Sequence, residues 1–320
     1  MTSLPLGPGA EFDRIRAIAR VLGPAAGPLG GDCAVLPEES GSSLVLSTDV
    51  SVEEVHFRRD WLHPDEIGWR SAAAALSDLA AVGAEPLGLL AAVTVPRGSP
   101  ERALTELMRG VGEAVAAVGG VVLGGDLSSG AVWAVAVTVV GRAARPMSRR
   151  GARPGDGVWV TGSLGAARAA LEAWRRGAEP AADARCAFAH PVPRIPAGRW
   201  LGDHGATAML DLSDGLAGDA RHLAAASDVE LRLDLDRLPL APSVRAAAGA
   251  LGVAPARFAA EGGEDYELLV TLPREFARAD ELQAACGIPL TRIGAVAAGS
   301  GVRLELGGVE LTLAGFDHFR

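Results

Sequence analysis

Short aspartate signatures recur along the chain, each set among Ser, Thr or Gly. They read Ser47-Thr48-Asp49, Ser77-Asp78-Leu79, Gly124-Gly125-Asp126 and Asp211-Leu212-Ser213-Asp214-Gly215. A fifth, Gly262-Gly263-Glu264-Asp265-Tyr266-Glu267, gathers three acids around the only Tyr. Carboxylates beside hydroxyls, where strands meet tight turns, suit hard cations such as Mg²⁺, which in turn neutralise phosphates. The same residue types cap helices and close Asx-turns, so each signature alone also has a purely structural reading. All 30 Lys+Arg residues are Arg. A Gly-x-x-x-x-Gly-Lys phosphate loop is therefore excluded, and metal ions and Arg must do the electrostatic work of any nucleotide chemistry.

Taken singly, the signatures differ in what they predict. Ser47, Thr48 and Asp49 end the apolar run 44–46 and offer a carboxylate and two neutral oxygens. Gly124 and Gly125 predict a turn after a short strand, either strained or open to close approach by a phosphate. Asp211 and Ser213 fall on one side of a strand end, with Asp214 as the cap of the next helix. Asp211 closes the apolar run 208–210, where a buried carboxylate needs a partner. Asp78 falls within a helix. Arg149 and Arg150 could fork onto a phosphate or remain solvated charge. His56 follows the Asp49 signature in a loop or edge strand, whereas His63, His190, His204 and His222 are expected at the surface. His318 lies in the closing segment Gly315-Phe316-Asp317-His318-Phe319, whose aromatics could dock the tail or cover a ligand. Cys33, Cys186 and Cys286 have no CxxC spacing and no neighbouring base, and no Gly-x-Ser-x-Gly elbow is present. A disulfide framework, a zinc site and a nucleophile triad are thereby set aside.

The elements that must position these residues alternate helix and strand. Helices are predicted over 11–22, from Pro64 through Ala81, over 101–118, 164–176, 194–201, 216–226 and 274–286. Strands are predicted over 33–36, 44–46, 87–95, 121–123, 132–140, 158–161, 207–212, 230–235, 266–272 and 290–296. The Pro, Gly and Arg stretch 145–157 is the best boundary, giving domains 1–145 and 146–320. Acids end strands in both halves, which suggests related domains facing one site. The fold class is α/β (α+β), each domain a mixed sheet layered with helices. A hydrophobic share of 49% supplies the core, and a net charge of −9 argues against a nucleic-acid surface. The first residues show no basic-then-apolar leader pattern, and no apolar run approaches the ~20 residues of a membrane span. A cytoplasmic location is the expectation.

As an ordered set the motifs resemble the thiamine-monophosphate kinases, within the aminoimidazole-ribonucleotide-synthetase-like superfamily. The resemblance rests on the segments 30–36, 47–57, 76–86, 124–126, 148–156, 211–216, 262–268 and 315–319, in that order. It implies two α/β domains, a homodimer formed through the N-terminal sheet, and ATP-dependent phosphorylation of thiamine monophosphate with several Mg²⁺ ions. It further implies Asp32, Ser47, Thr48, Asp49, Asp78, Asp126, Asp211 and Asp214 as metal ligands, with Asp49, Asp126 and Asp211 central to catalysis. Gly125, Asp126, Arg149 and Ser213 would contact ATP, and His56, Glu264 and Phe316 would hold thiamine monophosphate. Two departures stand out: Gly31 replaces an acid of the usual Gly-Asp-Asp, and Glu54 replaces the usual Gly before His56. Sibling readings are a selenophosphate synthetase, a hydrogenase-maturation enzyme or a nucleotide-binding regulator without catalysis. The first of these often uses a reactive Cys with a Lys near the N-terminus, and neither precedes Cys33.

Overall fold

Valines at every second position of 135–139 bury one face of a strand, and Ala134, Ala136 and Thr138 stay half-buried on the other. This strand is the centre of the first of two sheets in the computed structural model, which describes residues 7–26, 29–38 and 41–317. His318 lies outside the described residues. The first half runs α1 (Ala10–Leu22), β1 (Ala34–Pro37), β2 (Ser43–Val52), α2 (Pro64–Ala81), β3 (Glu85–Pro96), α3 (Glu101–Ala117), β4 (Val121–Gly130) and β5 (Ala134–Ala143). The second continues as β6 (Gly157–Thr161), α4 (Ala166–Arg175), α5 (Ala182–Ala189), α6 (Ile195–Asp203), β7 (Ala208–Asp211), α7 (Leu216–Ser227) and β8 (Glu230–Asp234). It closes with α8 (Val244–Leu251), α9 (Pro255–Ala260), β9 (Leu268–Leu272), α10 (Ala279–Cys286), β10 (Leu290–Ala297), β11 (Gly301–Leu306) and β12 (Val309–Leu311). The sheets are mixed, with orders β1-β2-β5-β3-β4 and β12-β11-β8-β10-β6-β9-β7. Only β3–β4 and β8–β11 pair in parallel among the named strand pairs.

Helix α2 organises the molecule. Pro64 opens it, Glu66 accepts a 2.9 Å hydrogen bond from the His63 N–H, and Gly83 at φ 67 lets the chain leave it. It is buried on nearly every side because sheet, α3 and second-half helices all pack on it. Close approach depends on missing side chains. A Cβ at Gly68 would meet the Leu107 carbonyl oxygen at 1.9 Å, and one at Gly110 would meet that of Asp65 at 1.8 Å. On the other side, a Cβ at Gly198 would lie 2.0 Å from the Ala80 carbonyl oxygen. The two halves are thus locked backbone to backbone across α2.

Several expected elements move. Ser47-Thr48-Asp49 lies inside the ten-residue strand β2, not at its end, because β2 pairs with β5 along its whole length. Gly124-Gly125-Asp126 is likewise interior to β4, where Gly125 is needed because a Cβ would meet the Ala91 carbonyl oxygen at 1.9 Å. Helices α5, α8 and α9 were not expected from the sequence; they are short and Ala-rich, with few large apolar residues to set a period. Residues 274–278 precede α10 rather than opening it.

Candidate active site

A cavity of about 770 Å³ opens between the halves. Its polar wall begins with β2, where period-2 alternation sends Ser47 and Asp49 to the face covered by α2. The Ser47 hydroxyl donates to Asp78 Oδ2 on that helix. Thr48 takes the other face, its Oγ1 lying 3.1 Å from Thr138 Oγ1, so its hydroxyl is directed away from the acids. Asp32, Asp78 and Asp211 bring one carboxylate oxygen each within 4.8 Å of one another. One comes from a loop, one from a helix and one from the end of β7.

Like charges this close repel by about 3–4 kcal/mol per pair at an effective dielectric near 20. Burial, then Asp32, pushes the Asp211 pKa up to about 7, and burial, then Asp211, Asp49 and Asp32, raises that of Asp78 well above the usual carboxylate range. The Arg149 Nε and Nη2 groups both donate to Asp32 Oδ1, at 3.0 and 2.6 Å. Asp32 Oδ2 is buried and finds no hydrogen-bond partner among the described residues. An orphaned carboxylate oxygen within an all-oxygen donor set fits a hard divalent cation such as Mg²⁺. Cys33, next in sequence, is buried with its Sγ 3.6 Å from the Asp78 carbonyl oxygen, and burial raises its thiol pKa.

Asp214 does not join this group. It forms a second cluster with Asp219 and His222, again within 4.8 Å. The Asp214 N–H donates to Asp219 Oδ2 at 3.1 Å, and the helix N-cap position belongs to Gly215, so the expected Asp214 cap is not formed. His222, expected at the surface, is buried. Its Nδ1 accepts from the Gly7 N–H at 3.0 Å, and burial lowers its pKa to about 3, leaving it neutral. Asp219 and His222 were missed because both lie beyond the Asp-Leu-Ser-Asp-Gly signature, one helical turn apart on α7.

Asp126 and Gly125 also stand apart. Register pairs Asp126 with Ala92, Ala92 with Ala136, and Ala136 with Val50. Three strand spacings of about 4.8 Å place Asp126 roughly 14 Å from the Asp49 strand. Strand β4 is exposed throughout, including Val121, Leu123 and Leu127 at 57%, 56% and 57%.

The three acids around Tyr266 separate into different tasks. Asp265 Oδ1 accepts from the Gly165 N–H at 2.8 Å before α4. Glu267 is forked by Arg194 at 2.9 and 2.6 Å and takes the Thr161 hydroxyl at 2.6 Å, an arrangement of the second core. Glu264 alone lines the cavity, in an ion pair with Arg70 of α2. Glu264 and Tyr266 sit at φ 66 and 49, a left-handed backbone uncommon outside glycine and concentrated at functional sites. The backbone is held by N–H bonds from Glu264 to the Ser213 oxygen and from Tyr266 to the Leu212 oxygen, 2.7 and 2.8 Å. His56 lines the same cavity, its Nδ1 3.1 Å from the Val52 N–H, and Glu54 before it takes φ 66. Phe316 and Ser213 line it too. The Phe316 N–H donates to the Asp214 oxygen at 2.8 Å, beside a contact so close that a Cβ at Gly315 would meet Gly218 Cα at 2.8 Å.

The described geometry is that of a known family. Residues 30–143 match the N-terminal domain of the AIR synthase related proteins, and residues 153–307 match their C-terminal domain. The thiamine-monophosphate kinase of Halobacterium salinarum is 36% identical over 294 residues, 91% of this chain and 95% of that protein. This chain belongs to the thiamine-monophosphate kinase family. The Escherichia coli K12 member is 34% identical over 324 residues, covering 96% of this chain and 95% of its own. Among solved structures, AaThiL complexed with AMPPCP and TMP superposes with a TM-score of 0.87 at 31% identity, covering 100% and 99% of the two chains. The family's mixed two-sheet architecture is therefore this chain's own. No helix among the described residues is long and apolar enough to cross a membrane.

Proposed function

We propose that this chain transfers the γ-phosphoryl group of ATP directly to the phosphate of thiamine monophosphate, giving thiamine diphosphate and ADP. The observation that carries this reading is the Asp32, Asp78 and Asp211 cluster, of which Asp78 and Asp211 line a cavity shared with Asp49, His56, Glu264 and Phe316. A phosphate monoester has its second pKa near ~6, so the acceptor is already largely anionic at neutral pH and needs no strong base. The barrier lies in bringing anions together and stabilising the charge spread over the transferring group. Asp32, Asp49, Asp78 and Asp211, with Ser47 orienting Asp78, would hold Mg²⁺, and Asp214 would do so beside Asp219. Bound there, Mg²⁺ supplies charge neutralisation and alignment of the two phosphates. Arg149 and Ser213 contact ATP in this reading, and His56, Glu264 and Phe316 enclose the thiamine part. Cys33 takes no part as a nucleophile, because burial keeps its thiol protonated. That removes the feature a selenophosphate-type reading would need.

We further assign residues 1–145 to ATP binding and dimerisation and residues 146–320 to completing the site, in a cytoplasmic homodimer. The apolar, exposed edge β4 supports the dimer, since unpaired strand edges of this length are normally covered. Gly125 and Asp126 ride on that edge, so we assign their nucleotide role to the dimer interface. The test is direct. Purified protein with ATP, Mg²⁺ and thiamine monophosphate should yield thiamine diphosphate, and Asp49→Asn should remove turnover with the fold intact. No product above a metal-free control would refute the assignment.

A further inference from the structure

Glu264 is half of a contact that the motif itself does not announce. Its partner Arg70 is 3% exposed, lies on α2 in the other half of the molecule, and lines the same cavity. The guanidinium is committed three ways. Nη1 donates to the Phe188 carbonyl oxygen at 2.8 Å, Nη2 donates to Glu264 Oε1, and the plane rests 3.8 Å from the Phe188 ring centroid. A buried Arg held by a carbonyl and an aromatic face cannot wander, so the carboxylate it grips is fixed as well. Glu264 itself sits at φ 66, a backbone state that costs energy unless its surroundings impose it.

We propose that Arg70 is a positioning residue for the acceptor substrate: it holds the Glu264 carboxylate in place to meet a cationic or N–H-donating heterocycle. The inference rests on the reading of Glu264 as a substrate-binding group. Arg70 acts through Glu264, with no contact of its own to the transferring phosphoryl group. Loss of the grip therefore weakens acceptor binding and leaves the nucleotide side alone.

The experiment is a double-mutant cycle in the full-length protein. KM for thiamine monophosphate, kcat and binding of a non-hydrolysable ATP analogue are measured in Arg70→Met, Glu264→Gln and the pair. Arg70→Met should raise KM for thiamine monophosphate by about tenfold or more, the loss expected for a charged hydrogen bond, with analogue affinity unchanged within about twofold. Once Glu264→Gln is present, adding Arg70→Met should change KM little, because the two residues act as one unit. Additive effects, or equal weakening of the ATP analogue, would overturn the proposal. Should Glu264→Gln alone leave KM unchanged, the substrate role of Glu264 fails and the proposal falls with it. If Glu264→Gln raises KM and Arg70→Met does not, only the positioning role fails. Arg70→Lys covers the case in which Arg70→Met does not fold. It keeps the charge but cannot hold Phe188 and Glu264 together, so a wild-type KM in Arg70→Lys would equally refute the idea.

Discussion

Removing one charge from the acid cluster should make the metal-free protein more stable at neutral pH. Asp211 holds its proton in the fold up to about pH 7, whereas the ordinary value is 3.8. Between those values the folded state binds more protons than the unfolded chain, so stability falls as pH rises through the window. The gap is about three pH units, and at about 1.36 kcal/mol per unit the ceiling is about 4 kcal/mol. Asp211→Asn removes that titration and also relieves Asp78, whose pKa is raised partly by Asp211, which acts in the same direction. The assay is urea unfolding of wild type and Asp211→Asn in EDTA between about pH 4 and about pH 8. The stability of wild type relative to the variant should drop by up to about 4 kcal/mol across the series, mostly below about pH 7. His222, neutral down to a pKa of about 3, opposes this trend on the acid side but is common to both proteins and cancels. Adding Mg²⁺ at high pH should restore wild type far more than the variant. A pH-independent difference between the two proteins would refute the reasoning.

Other consequences are open to simple measurements. Arg149→Gln should bind Mn²⁺ more tightly than wild type without nucleotide, because a cation no longer competes for Asp32; titration by electron paramagnetic resonance reads this, and unchanged or weaker binding contradicts it. Glu54→Gly should raise the melting temperature slightly, as relief of a left-handed non-glycine residue worth about 1 kcal/mol outweighs an exposed ion pair to Arg58; a clear drop would show that Glu54 is held there by something stronger. Gly68→Ala should destabilise by more than about 3 kcal/mol, or prevent folding, since its Cβ would meet backbone at 1.9 Å; chemical denaturation decides it.

How much of this was legible in the sequence depends on what each residue answers to. Asp78 falls legibly within a helix, and the bounds of α2 are legible too, because Pro64 and Gly83 punctuate an unbroken helical run. Asp211 is legible because a carboxylate closing an apolar run demands a partner; its neighbours Asp32 and Asp78 are acids too, so what the cluster calls for is a cation. Thr48 could be separated from Ser47 and Asp49 only once β2 was known to continue past Asp49, and its length is imposed by pairing with β5 rather than by local propensity. The distance of Asp126 from the cluster is a matter of strand order, which no local signal encodes. Arg70 stands in the sequence as a single charge before an alanine-rich run, with little local to mark it. Its burial beneath Phe188, 118 residues away, is the reason it matters. A weak signal did exist: Arg70, Ala74 and Asp78 recur every four residues, the spacing of one helix face.

That face has a consequence for substrate choice. Arg70, Ala74 and Asp78 all line the cavity from a single rigid helix, with Ala74 leaving room between them. Eight residues of α-helix span about 12 Å. The distance from the group that fixes Glu264 to the group that belongs to the acid cluster is therefore set by a helix with no loop or hinge in it. On the proposed reading, with Glu264 at the ring and the acids at the phosphate, a phosphate ester with a markedly shorter or longer reach from ring to phosphorus would satisfy one end of α2 but not both.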